Sequence, residues 1–200
     1  MKRARPTPEF LRTLRHRRIA VVHPRDEDGE ALIQQLQRIG CTVQAFWPRP
    51  ADLDEGFDVI FGAVAPGALS ADADWLRRRR SAAVIAVVGY ESPTVFDEVL
   101  RLGALGVLTT PIRPTGVLAV LVMALSLHDE LSRLHKRVER LEQKLAGINE
   151  INAAKAILMR TRGVDDREAY RIIREQAMGK RLPTEEIARA IINADAILSA

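Results

Sequence analysis

The 200 residues, 47% of them hydrophobic, predict one medium-sized domain with a smaller appendage. The lone Cys41 excludes a disulfide framework within one chain and fits a reducing cytoplasm. No segment reaches the roughly 20 apolar residues that a membrane span needs, and the basic N-terminal tail, residues 1–16, lacks the apolar core of a signal peptide. We therefore expect a cytoplasmic protein without membrane contact. Its net charge of +4 permits a nucleic-acid partner without requiring one.

Residues 17–128 alternate short β-branched runs with helical patterns such as "EALIQQLQRIG", "DADWLRRRR" and "SPTVFDEVLRLG". Five runs predict strands: "RRIAVVHP", "CTVQAFW", "FDVIFGAVAPG", "AAVIAVVGY" and "ALGVLTTP". Continuous apolar strands separated by helices predict a parallel sheet that is covered on both faces. Five such strands fit the flavodoxin-like (CheY-like) α/β fold, whose functional crevice lies at the carboxyl ends of the strands.

The predicted strand ends resemble those of response-regulator receiver domains in position but not in chemistry. Receivers place an acidic pair after the first strand, a phosphate-accepting aspartate after the third, a hydroxyl after the fourth and a lysine before a proline after the fifth. Magnesium needs such oxygen ligands, and a phosphoryl group needs its charge neutralised. The corresponding residues here are His23, Pro24, Ala63, Val88, Gly89 and Thr110. This pattern predicts a pseudo-receiver with a degenerate phosphorylation site and no metal, cofactor or catalytic residue.

His23 is the conspicuous polar side chain among these residues. No second histidine, cysteine or suitably spaced acid accompanies it in the sequence. We therefore do not expect His23 to act as a metal ligand or as a catalytic base.

A heptad pattern begins at Val117, where apolar residues recur at alternating spacings of three and four as far as Asn152. A helix over residues 117–152 is too long for one small domain to cover, so we expect it to form a coiled-coil homodimer. The alternative, a helix packed on its own domain, is expected for the first two heptads only. Arg137 and Glu142 have opposite charges at flanking positions and can meet across a parallel seam. The predicted seam residues are Leu127, Leu131, Leu134, Val138, Leu141, Leu145 and Ile148.

Residues 150–200 divide into three predicted helices. Gly163 is expected to end the first helix, Asp165 to form a capping box with Glu168 at the start of the second, Gly179 to end the second, and Pro183 to lie in the first turn of the third. The predicted shared core consists of Ile157, Leu158, Ala169, Ile172, Ile173, Ala177, Ile187, Ala190 and Ile191. Such an alanine-rich core is thin, so tethering to a dimeric coil should stabilise it.

This C-terminal module resembles the ANTAR domain, an RNA-binding module of transcription antiterminators. The resemblance rests on Lys155 followed by "AILM", Gly163, "EAY" at 168–170, Arg174, "QAM" at 176–178 and "EIA" at 186–188. Together with "QLQRIGCTVQAFWP" at 35–48 and "YESPTVFDEVL" at 90–100, the whole chain resembles the AmiR-type regulators of amidase operons.

The resemblance implies a regulator rather than an enzyme. Its module would bind paired hairpins in the leader of a nascent messenger RNA and keep a terminator from forming. A ligand-sensing negative regulator with the periplasmic-binding-protein fold, similar to AmiC, would silence it, and phosphorylation would play no part. Two alternatives remain: a DNA-binding atypical response regulator and a dimeric protein-interaction scaffold. Acids at the start of "DDREAYRIIREQAM" do not favour a helix that reads the major groove.

The module has a modest basic bias, with eight Lys or Arg against four acids in residues 153–182. RNA loops are recognised by stacking, hydrogen bonds to bases and cationic contacts to phosphates. From the resemblance we expect RNA contacts at Lys155, Arg174, Lys180 and Arg181, and a stacking platform at Tyr170. A solvated helix face is the alternative for each cation, and core packing is the alternative for Tyr170.

Overall fold

The computed structural model of the chain describes residues 14–50, 53, 55–64 and 81–198. It divides into two compact units, Met1–Ser132 and Arg133–Ala200, which we call the sheet unit and the helical unit. The predicted helix "DADWLRRRR" and most of the basic N-terminal tail lie outside the described residues. Within the described part of the chain, no helix is both long and apolar enough to cross a membrane.

The sheet unit contains the five predicted strands. Its described elements are β1 (Arg18–Val22), α1 (Glu27–Ile39), β2 (Thr42–Phe46), β3 (Val59–Val64), β4 (Ala83–Val88), α2 (Pro93–Leu102) and β5 (Gly106–Thr109). The strands pair in parallel in the order β2-β1-β3-β4-β5. This order confirms the predicted flavodoxin-like fold and brings the carboxyl ends of all five strands to one edge.

Local sequence sets the limits of α1 and α2. Asp26 caps α1 by accepting a hydrogen bond from the Gly29 amide, and Ser92 caps α2 in the same way. Each helix ends at a glycine in the left-handed conformation: Gly40 has φ +100° and Gly103 has φ +67°. Both helices are therefore held at each end by residues that suit those positions.

Two apolar clusters cover the two faces of the sheet. On one face, Ile19, Phe61 and Ile85 are fully buried against α1 and the start of the long helix that follows β5. On the other face, Ile60 and Val88 pack with α2. Because successive strand residues point to opposite faces, the all-buried β4 contributes to both clusters.

The long helix α3 is assigned to Pro114–Arg162, but Thr115 and Gly116 have non-helical backbone angles, so the regular helix begins at Val117. Val117 and Ala124 are fully buried in the core of the sheet unit, which confirms the predicted docking of the first two heptads. The seam residues from Leu127 to Ile148 are 42–61% exposed. The helix continues past Asn152 to Arg162, so the first helix of the C-terminal module is the end of α3 and not a separate element.

The helical unit adds α4 (Asp166–Lys180) and α5 (Thr184–Leu198) to the end of α3. Gly163 ends α3 with φ +66°, as predicted. Gly179, predicted to end α4, lies inside it, and Arg181 is the residue that adopts the left-handed conformation, with φ +57°. The Arg181 and Leu182 amides donate to carbonyls of the last turn, which closes the helix two residues later than predicted.

The core of the helical unit is close to the predicted one. Its buried residues are Ala154, Leu158, Ala169, Ile173, Ala177, Ile187 and Ala188, with Ile172 and Ile191 packed partly buried against them. The prediction of Ala190 is wrong, because Ala190 is exposed and Ala188 takes its place. The prediction of Ile157 is also wrong, because Ile157 is only partly buried and does not belong to this core. Ala154 was missed because it lies in what was predicted to be a junction between two helices.

Two ion pairs join α5 to α3. The Arg189 guanidinium donates to the Glu150 carboxylate at 3.1 Å, and Arg160 donates to Asp195 at 2.8 Å. Nearer the start of α5, Glu185 lies over Gly147, where an added Cβ would come within 2.8 Å of the Glu185 Cγ. These contacts, at Gly147, Glu150 and Arg160 of α3, hold α5 against that helix.

Candidate functional site

A cavity of about 540 Å³ opens at the carboxyl ends of the strands. His23, Pro24, Ala63, Gly89 and Thr110 all line it, so the structure brings together five of the six residues predicted to form the degenerate phosphorylation site. Val88 is the exception, because its side chain is fully buried in the core beneath the sheet edge. The Thr110–Pro111 peptide bond at this edge is cis.

His23 does have an acidic neighbour, contrary to our expectation. Its side chain is buried, and its Nδ1 lies 3.0 Å from the Pro24 carbonyl and 3.3 Å from Oδ1 of Asp26. Asp26 also caps α1 by accepting from the Gly29 amide at 2.8 Å. The contacts therefore give His23 and Asp26 a structural function at the junction of β1 and α1.

Asp28 is a second carboxylate in the cavity wall that the sequence analysis missed. Its Oδ1 accepts a 2.6 Å hydrogen bond from the Ile112 amide, which follows Pro111. The acidic run "DED" at 26–28 was the available signal for both aspartates, but it begins four residues after the end of β1. Among the described residues, no group of three or more His, Cys, Asp or Glu side chains could hold a metal ion.

Ala63 occupies the fifth position of β3, close to the end of the strand. A methyl group cannot accept a phosphoryl group, so the cavity has no phosphate acceptor at this position. The wall is completed by Trp47, Pro48 and Arg49 after β2. Trp47 is 47% exposed, so the cavity wall includes a partly exposed aromatic ring.

A second candidate surface lies on α4 in the helical unit. Ala169, Ile173 and Ala177 form the buried face of this helix. Tyr170 and Arg174 are both exposed and are four residues apart, so they lie on one face beside the buried one. Tyr170 is 43% exposed and lies outside the core, so the core-packing alternative for Tyr170 is wrong.

The cations of the helical unit differ in whether an acid neutralises them. Arg171 donates to Glu168 and Glu175, and its hydrogen bond holds the pKa of Glu168 below its ordinary value. By contrast, Arg174 has no carboxylate within ion-pair distance among the described residues, and neither do Lys180 and Arg181 at the end of α4. The last three therefore keep charge that a phosphate can neutralise.

Lys155 is placed differently from the other predicted RNA contacts. Its side chain is 17% exposed, and its ammonium group lies 2.5 Å from the carboxylate of Asp166 in the first turn of α4. This contact ties the end of α3 to the start of α4. Lys155 would have to leave Asp166 to bind a phosphate directly.

The start of α4 is acidic and partly engaged by the helix itself. Asp165 accepts a hydrogen bond from the Glu168 amide at 2.8 Å, which confirms its predicted role as N-cap. The carboxylate of Glu168 accepts from Arg171 instead of reaching back to Asp165, so only half of the predicted capping box forms. Three acids thus occupy the helix end that would have to face DNA in a major groove.

Comparison with known proteins gives matches for both units. A model of the family "AmiR, N-terminal" matches residues 17–125, and a model of the ANTAR domain matches residues 139–192. The "Aliphatic amidase regulator" of Pseudomonas aeruginosa is 35% identical over 185 residues, which are 92% of this chain and 94% of that protein. The ANTAR match begins inside the predicted coiled-coil helix. The predicted boundaries of the pseudo-receiver (17–128), the coiled coil (117–152) and the ANTAR domain (150–200) stay predictions.

Solved receiver structures are also similar to the sheet unit. A response regulator of Thermotoga maritima is 18% identical with a TM-score of 0.45 and covers 56% of this chain and 98% of its own. A CheY-like receiver domain of Methanospirillum hungatei is 19% identical with a TM-score of 0.43 and covers 57% of this chain and 97% of its own. The family match spans more than half of the chain, and the curated relative spans nearly all of it. The chain therefore belongs to the AmiR family of antitermination regulators, with an AmiR N-terminal domain followed by an ANTAR domain.

Proposed function

We propose that this protein binds hairpins in the leader of a nascent messenger RNA and thereby prevents termination of an amidase-type operon. The observation that carries the proposal is the surface of α4, where Tyr170, Arg174, Lys180 and Arg181 are exposed within a module that matches the ANTAR domain. An exposed aromatic ring can stack on an unpaired base, and unpaired cations can contact phosphates. The operon class follows from the name of the curated relative, a regulator of aliphatic amidase.

Dimerisation through α3 is part of the proposal. The seam residues Leu127 to Ile148 form an exposed apolar stripe, and a second copy of the same helix would bury it. A parallel dimer would hold two ANTAR modules in one particle. Two modules that engage two hairpins of one RNA would bind with far greater avidity than either module alone.

The sheet unit would receive the signal through a protein and not through phosphate. Ala63 stands at the phosphate-accepting position. Asp26 and Asp28 in the cavity wall accept hydrogen bonds from backbone amides. A ligand-sensing negative regulator of the periplasmic-binding-protein fold would bind the sheet unit and the coil and keep the modules from RNA. An inducer that binds the sensor would release the antiterminator.

RNA binding is tested by a gel-shift comparison of leader RNA that contains two hairpins with duplex DNA of the same sequence. We expect the full chain to shift the RNA and to increase read-through of the leader terminator by purified polymerase. A preference for duplex DNA would support the DNA-binding regulator instead. Absence of binding to either nucleic acid would support the protein scaffold.

The assignment of the RNA contacts is tested with Arg174→Ala and Lys155→Ala at fixed salt. Arg174→Ala should weaken RNA binding without affecting folding, because the Arg174 side chain has no ion pair among the described residues. Lys155→Ala also removes the contact with Asp166, so its effect on folding must be measured by circular dichroism. Unchanged affinity in both folded variants would refute this assignment.

The regulatory step is tested by adding the purified sensor. We expect the sensor to lower the affinity of the full chain for RNA, and the inducer to restore it. If RNA affinity stayed constant with the sensor, both with and without inducer, sequestration would be excluded while RNA binding itself would stand.

A further inference from the structure

Three cations form a stripe on α3, on the N-terminal side of the turns that α4 and α5 cover. Arg137, Arg140 and Lys144 are separated by three and four residues, so they lie on one face of the helix. All three are exposed. Within the described part of the chain, none of them has a carboxylate within ion-pair distance. The coil therefore carries concentrated positive charge outside its apolar seam.

The same face continues directly into the interior of the helical unit. Further steps of three and four lead from Lys144 to Gly147, Ile151, Ala154 and Leu158. Gly147 lies beneath Glu185 of α5, and Ala154 and Leu158 belong to the core. The cationic stripe therefore ends where α5 begins, on the side of α3 that the ANTAR helices occupy.

An open groove of about 700 Å³ lies at this junction. The stripe forms one wall together with Gln143 and the seam residue Leu141. The other wall consists of Pro183 and, from the start of α5, Glu185, Glu186 and Arg189. Lys180 at the end of α4 and Arg181 in the loop that joins α4 to α5 precede this second wall in the sequence. Two of the RNA contacts expected from the sequence are thus next to a groove that the sequence analysis did not predict.

The acids of the groove do not neutralise the stripe. Glu185 accepts a hydrogen bond from the Thr184 hydroxyl and packs over Gly147. Arg189 is paired with Glu150, and the charge of Glu186 acts on Arg189, so that these contacts raise the pKa of Arg189 above its ordinary value. Among the described residues, the groove therefore has three cations without an ion pair, all from α3, against two carboxylates without an ion pair, Glu185 and Glu186, so its surplus charge is positive and comes from α3.

Dimerisation would leave most of this charge available. In the predicted parallel seam, Arg137 at a g position faces Glu142 at an e position of the second copy. Lys144 is also at a g position, but the corresponding e position holds Asn149, which has no charge. Arg140 is at a c position, away from the seam. Arg140 and Lys144 thus keep their charge in the dimer.

We infer that this groove binds the phosphate backbone of the RNA hairpin, so that the coiled coil itself forms part of the RNA-binding surface. The inference rests on the proposed function and assigns Arg140 and Lys144 to the same interface as Lys180 and Arg181. Unpaired cations on a rigid helix suit the regularly spaced phosphates of a stem. The α4 surface around Tyr170 would then contact the loop bases while the groove positions the stem.

The test uses the full chain and a fluorescein-labelled RNA of two tandem stem-loops copied from the transcript upstream of its own operon. The affinity of Arg140→Ala/Lys144→Ala is measured by anisotropy over a range of salt concentrations. Loss of two phosphate contacts should lower the slope of log affinity against log salt by about 1.4 to 1.8. Lys136→Ala is the matched control, because Lys136 lies on the same helix but outside the groove. Arg140→Lys/Lys144→Arg should retain the slope of the parent.

The outcomes separate this inference from the proposed function. If the parent chain did not bind the RNA, the proposed function and this inference would both fail. If the parent bound and the double alanine variant kept both its affinity and its slope, the inference alone would be overturned. The same holds if the variant bound RNA normally but no longer bound the sensor, since the groove would then dock an acidic protein. Sedimentation of each variant checks that a lower slope does not come from loss of the dimer.

Discussion

The sheet unit and the helical unit achieve stability in different ways. The sheet unit buries large side chains on both faces of its strands, with Phe61, Ile19 and Ile85 fully enclosed. The described core of the helical unit has seven buried residues, and four of them are alanines. Hydrophobic stabilisation scales with the apolar area removed from water, so the second core contributes much less.

The two units also differ in how much of the apolar face of α3 is exposed. The apolar residues of α3 that lie within the sheet unit core, from Val117 to Leu125, are buried, whereas those from Leu127 to Ile148 are exposed. From a thin core beside a long exposed apolar stripe, we predict that the helical unit depends on a second copy of the chain for its stability. The same dependence would couple RNA binding to dimerisation.

The largest effect is expected when the seam is broken. Leu134→Asp/Val138→Asp places two charges at d and a positions that a dimer would bury, so we expect a monomer. Affinity for RNA with two hairpins should fall by about 10²-fold to 10⁴-fold, while affinity for a single hairpin should change little. Analytical ultracentrifugation and anisotropy measure the two properties. Ser126→Asp, outside the seam, is the control, and a dimeric double variant would contradict the seam assignment.

A matched pair of core substitutions tests whether the two units differ in how much destabilisation they tolerate before they unfold. Ile173 and Ile85 are both fully buried, and each change to alanine should cost about 2–5 kcal/mol. We expect Ile173→Ala to abolish hydrogen-exchange protection in α4 and α5, because the core of the helical unit has little stability in reserve. Ile85→Ala should lower the unfolding midpoint of a sheet unit that remains folded. Retained protection in α4 of Ile173→Ala would refute the distinction.

Helix caps allow the same comparison on a smaller scale. Asp165 caps α4, and Ser92 caps α2, each through a hydrogen bond from the amide three residues later. Substitution of either by alanine should cost about 1 kcal/mol. Urea unfolding followed separately in the two units should show that Asp165→Ala removes the larger share of the stability of its unit. Asp165→Asn retains a capping oxygen and should restore most of the loss. Equal fractional losses in the two units would argue against a marginal helical unit.

The sheet unit was the more predictable of the two. Its strands are continuous apolar runs separated by helical patterns, and the parallel sheet, its covering helices and the flavodoxin-like strand order were predicted from that alternation. The cavity was predicted only in part, because Asp26 and Asp28 reach it from α1 and not from a strand end. A side chain that enters a site from the next element has no signature in strand-end spacing.

The helical unit was less predictable because its limits depend on contacts between helices. Asn152 ends the heptad pattern, yet α3 continues to Arg162, because α4 and α5 cover its next turns. Gly179 suited a helix end, but the hydrogen bonds of Arg181 and Leu182 set that end. From the sequence alone, the cations of the groove could be identified only as residues of the coiled-coil helix. Their function could be inferred only once α5 was seen to begin beside them.

The smallest expected effect is a pH dependence confined to the helical unit. Arg171 donates two hydrogen bonds to Glu168, at 2.6 and 2.9 Å, and these hold the pKa of Glu168 below its ordinary value of 4.5. A carboxyl group with a lowered folded-state pKa stabilises the fold above its unfolded pKa, and this contribution is lost as the pH falls through the folded pKa. The pair is exposed, so solvent screening keeps the contribution small.

The Glu168 contribution can be isolated by comparing the parent chain with Glu168→Gln, which keeps an acceptor oxygen but removes the charge. At about pH 7 the variant should have the lower unfolding midpoint in the helical unit, and the difference should shrink as the pH falls through the lowered folded-state pKa of Glu168 in the parent. The midpoint of the sheet unit should be the same in both proteins at every pH. A difference that persisted unchanged in acid would show that the substitution acts through helix propensity or packing and not through the charge of Glu168.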